Sequence, residues 1–306
     1  MNNGKVDWRG SIAAIVTPFT ESGDLDEGAL RANIEMTIGE RSHAIMVGGH
    51  NGEAHLQTDA ERRRTWEIGI DVVAKRIPLI VGTGGIRTEH VIELTVAAER
   101  LGVDGVMIEV PYFMTPNPPD VLAHYQAISD AVDVPIMAYN HPKRTGVPLS
   151  PRFMKELAAV ENVVAMKDST GDFAHVMECL HELGDSLRFF IGPARLYGLP
   201  AVLMGAAGFV DGLSQVMGSR ISELYECSMR GDLERAKRRQ WEAFEVGELM
   251  YKSAGTWPAT AKDAMRLQGR PGGWPRKPLL PMRGADLEKL RSSLERAGLL
   301  SVAAAV

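Results

Sequence analysis

Cysteine, excess charge of one sign and long apolar runs are all scarce in this 306-residue sequence. Only Cys179 and Cys227 occur, outside any CxxC spacing, which excludes a disulfide framework and a cysteine-based zinc site and favours a reducing, cytoplasmic compartment. The net charge of -5 is spread over interspersed signs, so no nucleic acid and no anionic membrane surface is expected as a partner. No run reaches the roughly 18 apolar residues of a membrane span, and the first residues lack the apolar core of a secretory signal. A small-molecule substrate fits this composition best.

What the sequence does contain is a regular alternation of short, β-rich apolar runs and longer amphipathic stretches. The predicted strands are 12–16, 44–47, 78–81, 105–110, 135–139, 163–166, 187–191 and 208–210. The predicted helices between them include 26–38, 59–74, 89–101, 120–131 and 173–183. Eight βα units in series predict an α/β fold of the (β/α)₈ type, the TIM barrel.

A doubly wound sheet uses the same alternation and is the structural alternative. No strand, however, is followed by a dinucleotide fingerprint, because the stretch from Gly82 ends in Arg87 where the third glycine is required. We therefore expect the barrel over residues 1–225 and a C-terminal helical region, packed on the barrel, over 226–306.

A lysine stands at the end of the sixth predicted strand, and its position suggests chemistry. Strict alternation along the strand puts Val163, Ala165 and Lys167 on one side. If that side faces the barrel interior, Lys167 is buried at the rim. Desolvation then lowers the lysine pKa and yields a neutral amine that attacks a carbonyl carbon to form a Schiff base. The alternative is a solvated lysine at a strand end, which is the usual place for this residue type.

Barrel enzymes place their active sites at the carboxyl ends of the strands. The glycine-rich turn of residues 48–52 is suited to binding a carboxylate through backbone N–H groups, although a plain tight turn has the same composition. Tyr139, one strand away from Lys167, is positioned to move a proton during carbinolamine formation and collapse. The other residues at these strand ends include Tyr112, Gly192 and Asp211.

Five segments, in this order and spacing, resemble the dihydrodipicolinate synthase/N-acetylneuraminate lyase family over essentially the whole chain. The segments are Thr17-Pro18-Phe19, Gly49-His50-Asn51-Gly52-Glu53, Pro111-Tyr112, residues 139–146 and residues 166–171. That family consists of class I, Schiff-base aldolases and related lyases on a (β/α)₈ barrel. The resemblance implies Lys167 as the Schiff-base lysine, Tyr139 as the proton-transfer phenol, and the backbone amides of 50 and 51 as the cradle of a 2-oxo-acid carboxylate. It also implies pyruvate as donor, no metal or organic cofactor, and a homo-oligomer, commonly a tetramer.

This chain departs from the family pattern where the hydroxyl relay is expected. The family loop carries two hydroxyl residues where this chain has His50 and Asn51, and Phe113 stands where dihydrodipicolinate synthases have a second tyrosine that reaches the neighbouring subunit. His50 is a candidate catalytic substitute, since an unperturbed histidine pKa near 6.5 suits acid/base work. The alternative is a neutral His50 that only donates a hydrogen bond to the carboxylate.

Arg144 stands where dihydrodipicolinate synthases bind the carboxylate of their second substrate. A guanidinium offers a bidentate fork to a carboxylate, so an acceptor with a second carboxylate is expected; a surface arginine that holds a loop is the alternative. Sialic acid cleavage is not expected, because Gly192 lacks the acidic pair that follows it in those lyases. For Asp211 three roles are open: it binds a substrate hydroxyl, it assists a dehydration, or it pairs with Arg195. The remaining predicted substrate contacts are Gly49, Asn51, Tyr112, Gly192 and Val210.

The sequence as a whole therefore predicts a lyase of the class I aldolase type. It acts on pyruvate or a pyruvoyl compound, with an aldehyde as second partner, in an aldol addition, a retro-aldol cleavage or a dehydration. One alternative is an authentic 4-hydroxy-tetrahydrodipicolinate synthase, which condenses pyruvate with aspartate semialdehyde. Another is a catalytically silent 2-oxo-acid binding protein on the same fold.

Overall fold

Eight parallel strands form a closed barrel in sequence order in the computed structural model, which describes residues 6–300. The strands are β1 (Gly10–Ala14), β2 (Ala44–Val47), β3 (Leu79–Gly82), β4 (Gly105–Glu109), β5 (Ile136–Asn140), β6 (Val163–Asp168), β7 (Arg188–Ile191) and β8 (Gly208–Asp211). β1 pairs with both β2 and β8, which closes the sheet. The predicted barrel is confirmed, and the doubly wound alternative is wrong.

Helices follow the strands and cover the outside of the barrel. They are α1 (Glu27–Gly39), α2 (Asp59–Val73), α3 (Thr88–Leu101), α4 (Pro118–Ser129), α5 (Pro142–Thr145), α6 (Pro151–Leu157), α7 (Phe173–Leu183), α8 (Ala194–Leu203), α9 (Ser214–Met217), α10 (Ser219–Arg230), α11 (Leu233–Tyr251), α12 (Trp257–Leu267) and α13 (Gly284–Arg296). Within residues 6–300, no helix combines the length and the apolar character needed to cross a membrane.

Two apolar layers hold the barrel together, one inside it and one between strands and helices. On β2, Ala44 and Met46 belong to the inner layer while Ile45 and Val47 belong to the outer layer. This is the period-two alternation of a strand, and it explains why a fully apolar run serves a strand that is buried on both faces.

The sixth strand departs from strict alternation. Val163 lies in the outer layer, whereas both Val164 and Ala165 lie in the inner layer, so the expectation that Val163 shares a face with Lys167 is wrong. The cause is a register shift against β5, where Ile136 pairs with Val163 but the next residue pairs with Ala165. A bulge of this kind adds one residue and resets the alternation. Beyond it, Ala165 and Lys167 do share the interior face.

The C-terminal helices reach back to the carboxyl end of the barrel. α11 packs on α8, and α12 packs on the short 3₁₀ helix His50–Gly52. The ends of these two helices bring Tyr251 and Trp257 to the same end of the barrel as Lys167. The division into a barrel over 1–225 and a helical region over 226–306 remains a prediction; α10 runs through this boundary.

Candidate active site

A cavity of about 400 Å³ opens at the carboxyl end of the barrel, where the strand-end residues meet. Most of the predicted site residues line it, and these are His50, Asn51, Tyr139, Arg144, Lys167, Gly192, Val210 and Asp211. Two predicted residues, Gly49 and Tyr112, do not. Within residues 6–300, no cluster of three or more His, Cys, Asp or Glu side chains is arranged to hold a metal ion.

Lys167 is the buried cation of this cavity. Its side chain points inward from the end of β6 and the residue is 6% exposed. Its Nζ lies 4.2 Å from the centre of the Tyr139 ring, on the neighbouring strand. Burial lowers the pKa of Lys167 to about 8, although the nearby carboxylates of Asp211 and Glu109 favour the charged form. A substantial fraction of this lysine is therefore a neutral amine at mildly alkaline pH.

Tyr139 lies beside the lysine on β5 and is buried. Burial raises the pKa of its phenol above the ordinary range. The phenol consequently keeps its proton at neutral pH. It can donate that proton to an oxygen beside Lys167 and must then regain it from a neighbour.

The loop after β2 forms one wall of the cavity. His50–Gly52 is a short 3₁₀ helix preceded by Gly49, where a Cβ atom would lie 2.8 Å from Met46 Sδ. Gly49 thus lets the loop pack closely on the barrel interior and does not itself reach the cavity. Asn51 Nδ2 donates to the carbonyl of Ala14, 3.2 Å away, which fixes the loop to β1.

His50 is neutral in this setting. Burial is the main cause that lowers its pKa, to about 3, and the positive charge of Arg144 lowers it further. This value favours the second of the two predicted roles, a histidine that donates a hydrogen bond without titrating near pH 7.

A buried ion pair ties the loop after β2 to helix α12. Glu53 follows the 3₁₀ helix with a left-handed backbone, and its Oε1 lies 2.5 Å from Lys262 Nζ on α12; both side chains are almost fully buried. The same lysine donates to the carbonyl of Trp274, 2.9 Å away. Two distant stretches of sequence thereby hold the loop that carries His50.

Asp211 closes the opposite side of the cavity, at the end of β8. The buried carboxylate accepts hydrogen bonds from the backbone N–H groups of Ala194 (2.9 Å) and Leu213 (2.6 Å), and burial raises its pKa despite these bonds and the field of Lys167. The ion pair of Arg195 is with Glu248 and not with Asp211. Asp211 therefore holds two loop ends beside the lysine.

A second cavity of about 270 Å³ adjoins the first behind Tyr139. Its lining consists of His50, His55, Glu109, Tyr112, Tyr139, His141, Arg144 and Thr145. Tyr112 belongs to this cavity, where its hydroxyl lies 3.2 Å from His55 Nδ1. Arg144 is exposed and lines both cavities. It lies at the cavity mouth, where a guanidinium can meet a substrate.

Several cavity residues were not predicted from the sequence. Ser169 lies in the turn after Lys167, and Tyr251 and Trp257 arrive from the C-terminal helices. The Tyr251 ring lies between two groups: the Arg195 guanidinium carbon is 4.3 Å from its centre, and the Trp257 ring is stacked at 5.0 Å. No local sequence pattern indicates that these aromatic residues meet strands more than a hundred positions earlier.

Known proteins resemble this chain over nearly its whole length. The model of the dihydrodipicolinate synthetase family matches residues 7–297. A 4-hydroxy-tetrahydrodipicolinate synthase of Geobacter metallireducens is 35% identical over 94% of this chain and 98% of its own, and an uncharacterised DapA-like lyase of Rhizobium meliloti is 33% identical over 97% and 99%. The crystal structure of the Acinetobacter baumannii dihydrodipicolinate synthase, complexed with pyruvate, superposes with a TM-score of 0.91 at 32% identity, over 95% of this chain and 99% of that one. This chain belongs to the dihydrodipicolinate synthetase family and is a lyase of the class I aldolase type.

Proposed function

We propose that Lys167 forms the Schiff base, with pyruvate or a pyruvoyl compound as donor. The observation that carries this proposal is a lysine buried in a 400 Å³ cavity, with a pKa lowered to about 8, beside a protonated phenol. The amine attacks the keto carbon, and the carbinolamine loses water to give an iminium. The iminium withdraws electrons from the adjacent carbon and stabilises the enamine that adds to, or is released from, an aldehyde.

Tyr139 is the proposed proton-transfer group. Its phenol lies beside Lys167 and stays protonated, so it can protonate the departing carbinolamine hydroxyl. Because this proton must be replaced in each turnover, the phenol needs a hydroxyl or water neighbour.

The proposed carboxylate cradle is the loop after β2. The first N–H groups of a helix have no acceptor within it, and here they belong to His50 and Asn51 at the cavity wall. Neutral His50 adds a side-chain donor, while Gly49 allows the close approach of the loop. Gly192 and Val210 line the same cavity.

Arg144 and Asp211 are the proposed contacts of the second partner. The guanidinium suits a carboxylate at the mouth, and the deep carboxylate of Asp211 suits a hydroxyl. Tyr112 contacts substrate only if a long acceptor enters the second cavity. Aspartate semialdehyde meets the requirement for a second carboxylate, so an authentic 4-hydroxy-tetrahydrodipicolinate synthase is the second candidate, which the names of curated relatives favour.

The experiment is borohydride trapping with pyruvate, read by intact mass, on the native protein and Lys167→Ala. We expect a reduced adduct on the native protein and none on the variant. Pyruvate binding by calorimetry without any adduct would contradict the lyase and favour the silent binding protein. Turnover of pyruvate with aspartate semialdehyde, compared with other aldehydes, then separates the two lyase candidates.

We also propose that the enzyme works in the cytoplasm as a homo-oligomer. The scarcity of cysteine supports the compartment. Phe113 and Met114, 86% and 68% exposed on the loop after β4, support an interface between copies. One structure of similar fold is of a monomeric dihydrodipicolinate synthase variant, so sedimentation of this protein decides its assembly.

A further inference from the structure

A second pair of register partners follows the proposed catalytic pair on the same two strands. Tyr139 pairs with Lys167 across β5 and β6, and the next residues, Asn140 and Asp168, pair with each other. Successive side chains on a strand point to opposite faces, so Asn140 and Asp168 lie on the outer face of the barrel, behind the catalytic pair. Both residues are fully buried, and neither lines the main or the second cavity. Their polar groups therefore serve something other than contact with substrate.

The Asp168 carboxylate is bound by four groups. Its Oδ2 accepts a hydrogen bond from Asn140 Nδ2 at 2.7 Å and lies 3.3 Å from His175 Nε2 on α7. Its Oδ1 accepts from the backbone N–H of Thr170 at 3.1 Å and from the Thr170 hydroxyl at 2.6 Å. The carboxylate thereby fixes the turn that follows β6 and lines the main cavity.

The Asn140 amide connects the end of β5 to the loop that follows it. Its Nδ2 donates to Asp168, while its Oδ1 accepts from the backbone N–H of Leu149 at 3.3 Å. The loop closed by this second bond, residues 141–148, carries Arg144. One side-chain hydrogen bond, from Asn140 to Asp168, thus joins the two segments that bear the proposed site residues.

This hydrogen bond also opposes a slip of the two strands. Near the start of the strand pair the register shifts between Ile136 and Met137. A slip of one residue further along would move Lys167 to the opposite face of the sheet. Asn140 and Asp168 stand at the other end of the pair, and their side chains meet only in the observed register.

We propose that Asn140 and Asp168 are positioning residues, whose side-chain hydrogen bond holds the Tyr139 phenol and the Lys167 amine in reach of one carbonyl group. This inference rests on the proposed function and deepens it. The two residues touch no substrate and act on the rate of imine formation through the placement of Tyr139. Pyruvate affinity depends on the loop after β2, on another side of the cavity.

The variant Asp168→Asn tests the hydrogen bond with the smallest change of shape. In either orientation of the new amide, its NH₂ group faces another donor, Asn140 Nδ2 or the Thr170 N–H, so one hydrogen bond is lost. The rate constant of imine formation at saturating pyruvate should fall by roughly 10- to 100-fold, since a small misplacement has an effect of that size. The pyruvate concentration that gives half the maximal rate should stay within about twofold of the native value.

Exchanging the two side chains should restore the rate. In Asn140→Asp/Asp168→Asn, the amide at 168 can donate to the carboxylate at 140 while its oxygen accepts from Thr170, and the second carboxylate oxygen can accept from the Leu149 N–H. Asn140→Asp alone sets two carboxylates against each other. We expect the exchange variant to be faster than Asn140→Asp by about tenfold or more.

Asn162→Asp is the matched control for this chemical change. Asn162 is buried directly before β6, at the amino end of the same strand, where its Nδ2 donates to the carbonyls of Ser129 at 3.1 Å and Val132 at 2.7 Å. A carboxylate there should lower the stability of the fold, because it cannot donate to these carbonyls. The rate of imine formation per folded molecule should remain native.

A double-mutant cycle with Tyr139→Phe separates placement of the phenol from a merely structural role. Once the phenol hydroxyl is removed, Asp168→Asn should slow imine formation by less than about twofold, because the group that it misplaces is gone. A structural role would give the same loss in both backgrounds. Asn140→Ala, which removes the hydrogen bond without adding a charge, takes the place of Asp168→Asn if that variant does not fold.

The measurement is quenched-flow borohydride trapping with pyruvate, read by intact mass at a temperature where circular dichroism shows each variant folded. A native rate in folded Asp168→Asn, or an equal loss with and without the Tyr139 hydroxyl, would overturn the positioning role while the Schiff base stands. Absence of any adduct on the native protein would instead overturn the proposed function and the positioning role with it.

Discussion

Lys167 and Tyr139 are register partners on adjacent strands, and the lysine Nζ lies 4.2 Å from the centre of the phenol ring. This contact places a cation on an aromatic face in a buried site, so part of the attraction that holds the lysine does not need a counterion. A carboxylate salt bridge in the same place would keep the amine protonated. The site therefore combines a fixed lysine with a lowered pKa.

The rate of imine formation should depend on pH through this lysine. Its pKa is lowered to about 8, and the ammonium is not nucleophilic, so the rate should fall about tenfold per pH unit below that value and level off above it. Initial trapping rates with saturating pyruvate between pH 6 and 10 measure the profile. A midpoint near 10.5, the value of an unperturbed lysine, would contradict it.

Replacing Lys167 should stabilise the fold. Its folded pKa of about 8 lies below the model value of 10.5, so the unfolded state binds more protons between these values and stability rises with pH across that window. Below pH 8 the protonated lysine is penalised in full. The difference corresponds to about 3 kcal/mol, which Lys167→Met should recover in part at pH 7. Urea unfolding of the native protein and Lys167→Met at pH 7 and pH 10 checks this. A gain in the free energy of unfolding that is larger at pH 10 than at pH 7 would contradict the lowered pKa.

Replacing Lys262, unlike replacing Lys167, should destabilise the fold, because Lys262 forms a buried ion pair with Glu53. Lys262→Met leaves the Glu53 carboxylate buried without its partner, which typically costs about 3–5 kcal/mol. The double variant Glu53→Gln/Lys262→Met should regain part of this loss, because neither charge then remains. Urea midpoints of the three proteins test the coupling. Additive losses would show that the two groups act independently.

His50→Gln should leave the pH dependence unchanged in shape between pH 5 and 8. The histidine is neutral over that range because its pKa is about 3, so it has no proton to lose there. The glutamine amide keeps a donor but does not place it where the imidazole N–H lies, so the weakened hydrogen bond should raise the pyruvate KM by roughly 2- to 10-fold. The exposed His181→Gln is the matched control. Disappearance of an acid limb in His50→Gln alone would reinstate His50 as an acid/base group.

Arg144→Gln should affect the second partner and not the donor. Its guanidinium stands at the mouth of the cavity, where a charge-assisted hydrogen bond contributes about 1.5–3 kcal/mol, or roughly 10- to 100-fold in kcat/KM. The loss should be confined to aldehydes that bear a carboxylate, while adduct formation with pyruvate is unchanged. Equal losses with neutral and carboxylate-bearing aldehydes would favour the alternative that Arg144 only holds its loop.

The sequence was most informative where periodicity and strand ends coincide. Eight apolar runs predicted the barrel, and the position of Lys167 at the end of one run predicted its burial. The alternation failed at Val163 and Val164, because a bulge against β5 depends on a partner strand that periodicity does not reveal. The prediction that Lys167 faces the barrel interior still holds, because the bulge precedes Ala165 and the alternation is regular from there to Lys167.

The parts of the site that sequence reasoning missed depend on long-range packing. Arg195 passes over α11 at Gly247, where a Cβ atom would lie 2.3 Å from the arginine Cδ. The Arg195 guanidinium then packs on the ring of Tyr251, which lines the cavity. The titration of His50 likewise depends on burial and on Arg144, neither of which a loop motif specifies. Ser169 was visible in the turn after Lys167, but only the tertiary structure shows that it lines the same cavity as Tyr139.

Lys167 is the lysine proposed to form the Schiff base. The most direct measurement is peptide mapping of the native protein after borohydride reduction with pyruvate. Lys262 provides an internal comparison, since burial also lowers its pKa to about 8 while Glu53 and the Trp274 carbonyl occupy its amine. We expect a reduced adduct on the peptide that contains Lys167 and none on the peptide that contains Lys262. An adduct on Lys262 or on exposed lysines, with Lys167 unmodified, would contradict it.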